Sequence, residues 1–144
     1  VLPTIIRQAL DPECEAIRLG DLTPIRDFNY VRDITRAFAM AATAETLKFG
    51  QPYNAGSGTA ITVADAVELI RRLCGTNKPV ETDEARRRPQ NSEVFELLAD
   101  ASHFSGETGW TSRIDLEAGL SQTISWWRNR TAMGELRQSK SFLY

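Results

Sequence analysis

The stretch Gly20-Asp-Leu-Thr-Pro-Ile-Arg-Asp-Phe-Asn-Tyr-Val-Arg-Asp33 constrains the folding of this chain more than any other. Glycine, proline and aspartate punctuate it, a short alternating run, Ala16-Ile-Arg-Leu19, precedes it, and an apolar-periodic run follows it. A strand must therefore cross through irregular chain into an amphipathic helix. Inside the crossing, Arg26, Phe28 and Tyr30 alternate as a short extended segment requires. The guanidinium of Arg26 offers a planar fork of donors suited to a phosphate or a carboxylate. The same trio fits a solvated arginine beside two packed aromatics, so the remaining segments have to decide between them.

Before the crossing, Leu2, Ile5, Ile6, Ala9 and Leu10 share one side of a helix that Asp11-Pro-Glu13 breaks. After it, Val31, Ile34, Phe38, Ala41 and Ala42 predict a helix that stops near Gly50, with Asp33 in its first turn where an anion suits the macrodipole. Gln51-Pro-Tyr-Asn-Ala55 reads as a brief strand, and Gly56-Ser-Gly58 as the turn into a helix carrying Val63, Ala66, Val67, Ile70 and Leu73. Thr62 is the expected N-cap of that helix, Asp65 its capping-box partner and Gly75 its stop. Lys78–Thr82 predicts a strand, 83–92 a charged loop and Glu93–Leu98 a half-buried strand. A short helix about Ala101–Ser105 leads to Gly109-Trp110, and Leu116, Leu120, Ile124 and Trp127 mark a final helix face. Residues 131–144 read as a polar tail.

Composition excludes several function classes. A chain of 144 residues that is 42% hydrophobic and 25% charged has room for one ordinary core. A formal net charge of −2 argues against a general nucleic-acid surface, which needs many phosphate-neutralising cations. Cys14 and Cys74 form no Cys-x-x-Cys pair, so neither a zinc site nor a disulfide framework is indicated, and a reducing cytoplasm is the expected setting. No apolar run approaches the roughly 18 to 20 residues of a membrane span. The opening at Val1, directly into a helix, suggests a truncated chain.

Gly56-Ser-Gly58 invites a dinucleotide-binding reading, because Glu81 and Asp83 lie near the spacing expected of a ribose-binding acid. The third glycine position falls on Ile61, whose side chain would obstruct close helix–strand packing, and Pro52-Tyr-Asn-Ala55 lacks the apolar run of a central parallel strand. His103 has no ligand or carboxylate partner in sequence and reads as a surface residue; Trp110 and Trp127 read as packing residues. Arg86-Arg-Arg88, taken alone, reads as a solvated loop.

The order of the segments carries more than any one of them. Arg26-Asp-Phe with Tyr30-Val-Arg-Asp33 comes first, then Tyr53-Asn-Ala-Gly-Ser-Gly58, Arg88-Pro-Gln-Asn-Ser-Glu-Val94 and Ala99-Asp100, then Gly109-Trp110 and Leu116-Glu-Ala-Gly-Leu120 leading to Trp126. This series resembles the carboxyl-terminal part of an NAD-dependent epimerase/dehydratase, an extended short-chain dehydrogenase/reductase acting on nucleotide sugars. The nearest likeness is to 4,6-dehydratases of the legionaminic-acid and bacillosamine type, with GDP-mannose 4,6-dehydratase next.

The resemblance implies an α/β fold: residues 1–130 as the small nucleotide-sugar-binding part, with 28–56 normally crossing to complete the Rossmann sheet by a helix and a strand, and 131–144 as a tail. It implies that Arg26 reaches the nucleotide pyrophosphate with Phe28 packing beneath it, that Arg88 closes on the same diphosphate, and that Glu93 accepts the ribose hydroxyls. The family's glycine-rich dinucleotide turn and Tyr-x-x-x-Lys pair do not occur in these residues, so the resemblance places no catalytic or cofactor-binding residue here and implies a chain inactive by itself. The intact enzyme would use NAD or NADP to oxidise C4 of the sugar, eliminate water across C5 and C6, and return the hydride to C6. The implied partners are a nucleotide diphosphate sugar and a second copy of the chain, joined through the exposed strand and helix, with no nucleic acid and no membrane. The other reading left open is a non-catalytic remnant or oligomerising interaction module.

Overall fold

The computed structural model describes residues 1–86 and 94–134. Helix α1 (Leu2–Leu10) buries Ile5, Ile6 and Ala9 and ends at Asp11, whose amide donates to the Arg7 carbonyl. Strand β1 (Ile17–Leu19) follows, flanked by a side chain acting as a strand: the Arg18 amide donates to Gln8 Oε1 at 2.9 Å, and Gln8 Nε2 donates back to the Arg18 carbonyl at 3.2 Å. The buried glutamine thus satisfies backbone groups that a two-stranded sheet would leave orphaned.

Strand β2 (Ile25–Arg26) and helix α2 (Val31–Thr43) come next, then β3 (Ile61–Thr62), helix α3 (Val63–Cys74) and strand β4 (Val80–Thr82). A 3₁₀ turn at Glu84–Arg86, strand β5 (Glu96–Leu97), helix α4 (Ser102–Thr108) and helix α5 (Leu116–Ala132) complete the order. The strands form two small sheets. β1 pairs in parallel with β4, Ile17 opposite Val80, while β2 lies between antiparallel β3 and parallel β5.

The main core lies between α1, β1, α3 and α5, where Ile5, Ile6, Ile17, Val67, Ile70, Leu120 and Ile124 are buried. Thr62 and Asp65 form the expected capping box, and Gly75, at φ 71°, ends α3 in the left-handed region that only glycine adopts without strain. Lys78 Nζ closes the other end of the layer by donating to the Gln8 carbonyl, in the last turn of α1, and to the Asp11 carbonyl, which also accepts the Cys14 amide.

Three expectations fail locally. Helix α2 stops at Thr43, not near Gly50, because the following chain is drawn away: Thr46 Oγ1 donates to the Glu107 carbonyl and Leu47 packs on a second core of Ala37, Phe104 and Trp110. Residues 51–55 form no strand. Among the described residues they pair with neither sheet, and Tyr53 instead sets its ring 4.9 Å from that of His103 and accepts the Lys48 amide on its hydroxyl. The expected half-buried strand at 93–98 is a two-residue exposed strand, with Phe95 and Leu97 61% and 62% exposed, so β5 is held by its backbone bonds and not by a buried face. The apolar face of α2 at Val31 and Phe38 is uncovered, as expected of an exposed helix, and the buried residues of α2 are Asp33 and Ala37.

Candidate functional site

Arg26 occupies the middle strand of the β3-β2-β5 sheet, in register with Ile61 on one side and Leu97 on the other. Ladder bonds bracket it: the Ile25 amide donates to the Phe95 carbonyl at 2.7 Å and the Asp27 amide to the Leu97 carbonyl at 3.0 Å. Its half-buried guanidinium is turned along the sheet, Nη1 donating to the Ile25 carbonyl at 2.8 Å and the Phe95 carbonyl at 3.3 Å. These two carbonyl acceptors orient the planar fork along the sheet.

Phe28, two residues on, lines a small pocket of about 50 Å³ with Leu2, Tyr30, Leu116 and Leu120, which places it against α1 and α5. Arg88 and Glu93, the other two expected site residues, lie outside the described residues. In sequence Glu93 precedes Glu96 by three positions, and Glu96 is the register partner of Ile25. Arg86, the first of the arginine triplet, is paired with Asp83 at 2.9 Å.

Asp27 follows Arg26 and makes a different set of contacts. Its carboxylate accepts the Ser57 hydroxyl at 2.5 Å, the Ser57 and Gly58 amides each at 3.3 Å, and Asn29 Nδ2 at 3.1 Å. The Gly56-Ser-Gly58 turn is therefore an anion-binding loop already filled by a carboxylate of the same chain. The Ser57 and Gly58 amides of this turn are directed at Asp27. Close packing explains Gly56: a Cβ there would lie 2.4 Å from the Ala99 Cβ and 2.7 Å from Asp27 Oδ2. Gly56→Ala should cost about 1–3 kcal/mol by overpacking, read as a lowered urea midpoint. A midpoint equal to that of the parent would mean that the two segments part freely.

Asp33 organises the other side of the crossing. Only 3% exposed, its carboxylate accepts Arg36 Nη2 at 2.7 Å, the amides of Arg113 and Ile114 each at 2.9 Å, and the Ser112 hydroxyl at 3.2 Å. Its own carbonyl accepts Trp110 Nε1 at 3.1 Å, and the Arg36 guanidinium lies over the Trp110 ring. Burial alone would push this carboxyl up; the Arg36 guanidinium, the two amides and the hydroxyl outweigh it and hold the group down at about 2.

Between these two anchors lies an open cleft of about 280 Å³, bounded by Gly56–Gly58, Ala99–Ser102 and Trp110–Ser112. Among the described residues no group of three or more His, Cys, Asp or Glu could hold a metal ion, and no helix is long and apolar enough to cross a membrane. Both cysteines are free, and burial pushes each thiol up. His103 is exposed, as expected. Sequence reasoning missed the roles of Asp27 and Asp33. The signal that existed was an aspartate directly beside Arg26 and another in the first turn of α2; their acceptor roles depend on partners 30 and 80 positions away.

Comparison with known proteins supplies the family context. A family model described as GDP-mannose 4,6 dehydratase matches residues 1–123. A dTDP-glucose 4,6-dehydratase of Actinoplanes sp. is 28% identical over 131 residues, covering 89% of this chain and 38% of the relative. Among solved structures, an epimerase of Methanothermobacter thermautotrophicus superposes with a TM-score of 0.81 at 22% identity, over 92% of this chain and 38% of that one. MoeE5, solved in complex with UDP-glucose and NAD, superposes with a TM-score of 0.75 at 28% identity, over 90% of this chain and 42% of that one. The chain thus spans well under half the length of these relatives, and its α/β fold is that of their carboxyl-terminal portion.

Proposed function

This chain belongs to the GDP-mannose 4,6 dehydratase family of nucleotide-sugar dehydratases and epimerases, and from that premise we propose that it is the nucleotide-sugar-binding portion of an NAD(P)-dependent 4,6-dehydratase or epimerase. The cofactor-binding and catalytic part is not contained in these residues. The observation that carries the proposal is the placement of Arg26, a half-buried guanidinium oriented by two backbone carbonyls on a central strand. Arg26 reaches the pyrophosphate of the ligand, and Phe28 packs beneath it. Arg88 closes on the same diphosphate, since two arginines can each form paired charge-assisted bonds to it, and Glu93 accepts the ribose diol. Register pairing of β5 with β2 supports this grouping, because it brings the segment that follows Glu93 alongside Arg26. The complexes of MoeE5 with UDP-glucose and with UDP-glucuronic acid support this class of ligand.

Calorimetric titration of the chain with UDP-glucose, GDP-mannose, UDP and NAD tests the proposal. A nucleotide diphosphate sugar should bind, and Arg26→Ala should weaken it about 10- to 100-fold, the loss of a hydrogen-bonded charge of about 1.5–3 kcal/mol. Binding of NAD with no binding of any nucleotide diphosphate would overturn it.

A second reading rests on the uncovered face of α2, where Val31 is 64% and Phe38 74% exposed. In the proposed whole enzyme, 28–56 crosses to the cofactor domain and this face packs there. In a non-catalytic remnant or interaction module, a second copy covers it and the chain is a homo-oligomer. Phe38→Glu should then convert the oligomer to monomer in sedimentation equilibrium, without changing nucleotide binding. A parent chain that is monomeric at every concentration rejects this reading.

A further inference from the structure

We propose that Asp27 is a positioning residue for Arg26, setting the guanidinium by tying the end of β2 to the Gly56-Ser-Gly58 turn. The proposal rests on the assignment of Arg26 to the nucleotide diphosphate site. Successive residues of an extended segment send their side chains to opposite faces, and the contacts of Arg26 and Asp27 follow that rule. Arg26 lies over the Ile25 and Phe95 carbonyls, whereas Asp27 points to the turn 30 positions on.

The strand itself is too short to fix the arginine. It has two residues, each of its neighbours β3 and β5 has two, and the side chains of β5 are exposed, so on that side the pair is held by backbone bonds. The Asp27 carboxylate supplies what the packing does not. It draws on the Ser57 amide and hydroxyl, the Gly58 amide and Asn29 Nδ2, and Gly56 abuts Ala99, just beyond β5, so closely that no side chain fits there. The Asp27 amide simultaneously donates to the Leu97 carbonyl. One residue thus clamps the carboxyl end of β2 to the turn on one side and to β5 on the other, adjacent to the arginine whose fork must meet the ligand. A shift of about 1 Å at this point would carry the guanidinium out of paired hydrogen-bonding range.

The test uses the full chain and the Nε–Hε resonance of Arg26 in an arginine-labelled NMR spectrum, assigned by its loss in Arg26→Lys. Asp27→Ala, Asp27→Asn and the milder Ser57→Ala, which removes only the hydroxyl donor, are each confirmed as folded by circular dichroism. The Arg26 resonance should move in all three, least in Ser57→Ala, and added formate should return it towards its parent position in Asp27→Ala alone, by refilling the emptied turn. UDP-glucose should bind about 10-fold more weakly to Asp27→Ala, with the formate restoring affinity as it restores the resonance. An Arg26 resonance that stays in place in the folded variants, Ser57→Ala included, overturns the proposal. If the parent chain binds no nucleotide diphosphate, the function assigned above fails, while the resonance still decides whether Asp27 positions Arg26.

Discussion

Asp33→Ala is expected to destabilise the chain by about 3–5 kcal/mol, the cost of breaking a buried, hydrogen-bonded ion pair. The substitution strands the Arg36 guanidinium, the Arg113 and Ile114 amides and the Ser112 hydroxyl, all of which converge on this one carboxylate. It also loosens the turn that presents Trp110, whose indole is 1% exposed and forms the second core with Phe104 and Ala37. Chemical denaturation at neutral pH measures the loss directly. A change below about 1 kcal/mol would mean that solvent replaces the carboxylate, contrary to its burial.

The pH dependence gives the same residue a second test. The folded carboxyl sits at about 2, below its ordinary value of 3.8, so the native state binds the proton less tightly than the unfolded chain. The contribution of this difference, about 2 kcal/mol, is present above pH ~4 and is lost as pH falls through the folded value near 2. Urea midpoints of the parent and of Asp33→Ala should therefore draw together in acid, by about that amount. A gap that stays constant across this window would assign the stabilisation to shape and not to charge.

Ile70→Ala is the other large effect, at about 2–5 kcal/mol, from lost burial plus the cavity left behind. Ile70 is fully buried on α3 and belongs to the cluster that includes Ile5, Ile6, Ile17, Leu120 and Ile124, so neighbours on several elements lose contacts at once. Differential scanning calorimetry should show one lowered transition. Two separated transitions would show that the main core and the Ala37–Phe104–Trp110 core unfold independently.

The helices were largely legible because their signals are local. Apolar spacing marked α1, α3 and α5, Thr62 with Asp65 marked a start, and Gly75 marked a stop, each set by residues within a few positions of one another. The α2 stop and the 51–55 strand were misread because long-range partners decide them: Glu107 and the second core draw the chain out of helix after Thr43, and neither small sheet takes in residues 51–55.

The candidate site divides in the same way. The sequence singles out Arg26 as a candidate by its planar fork and its place in an ordered series of motifs, and it shows that Gly56-Ser-Gly58 lacks the third glycine of a dinucleotide turn. That the turn instead holds Asp27, and that Asp33 gathers Ser112, Arg113 and Ile114, was decided by tertiary structure alone. The physical reason is that a carboxylate is defined by the donors around it. Those donors stand 30 and about 80 positions away, at distances in sequence over which neither periodicity nor propensity carries information, and only the folded chain brings them within 3.3 Å.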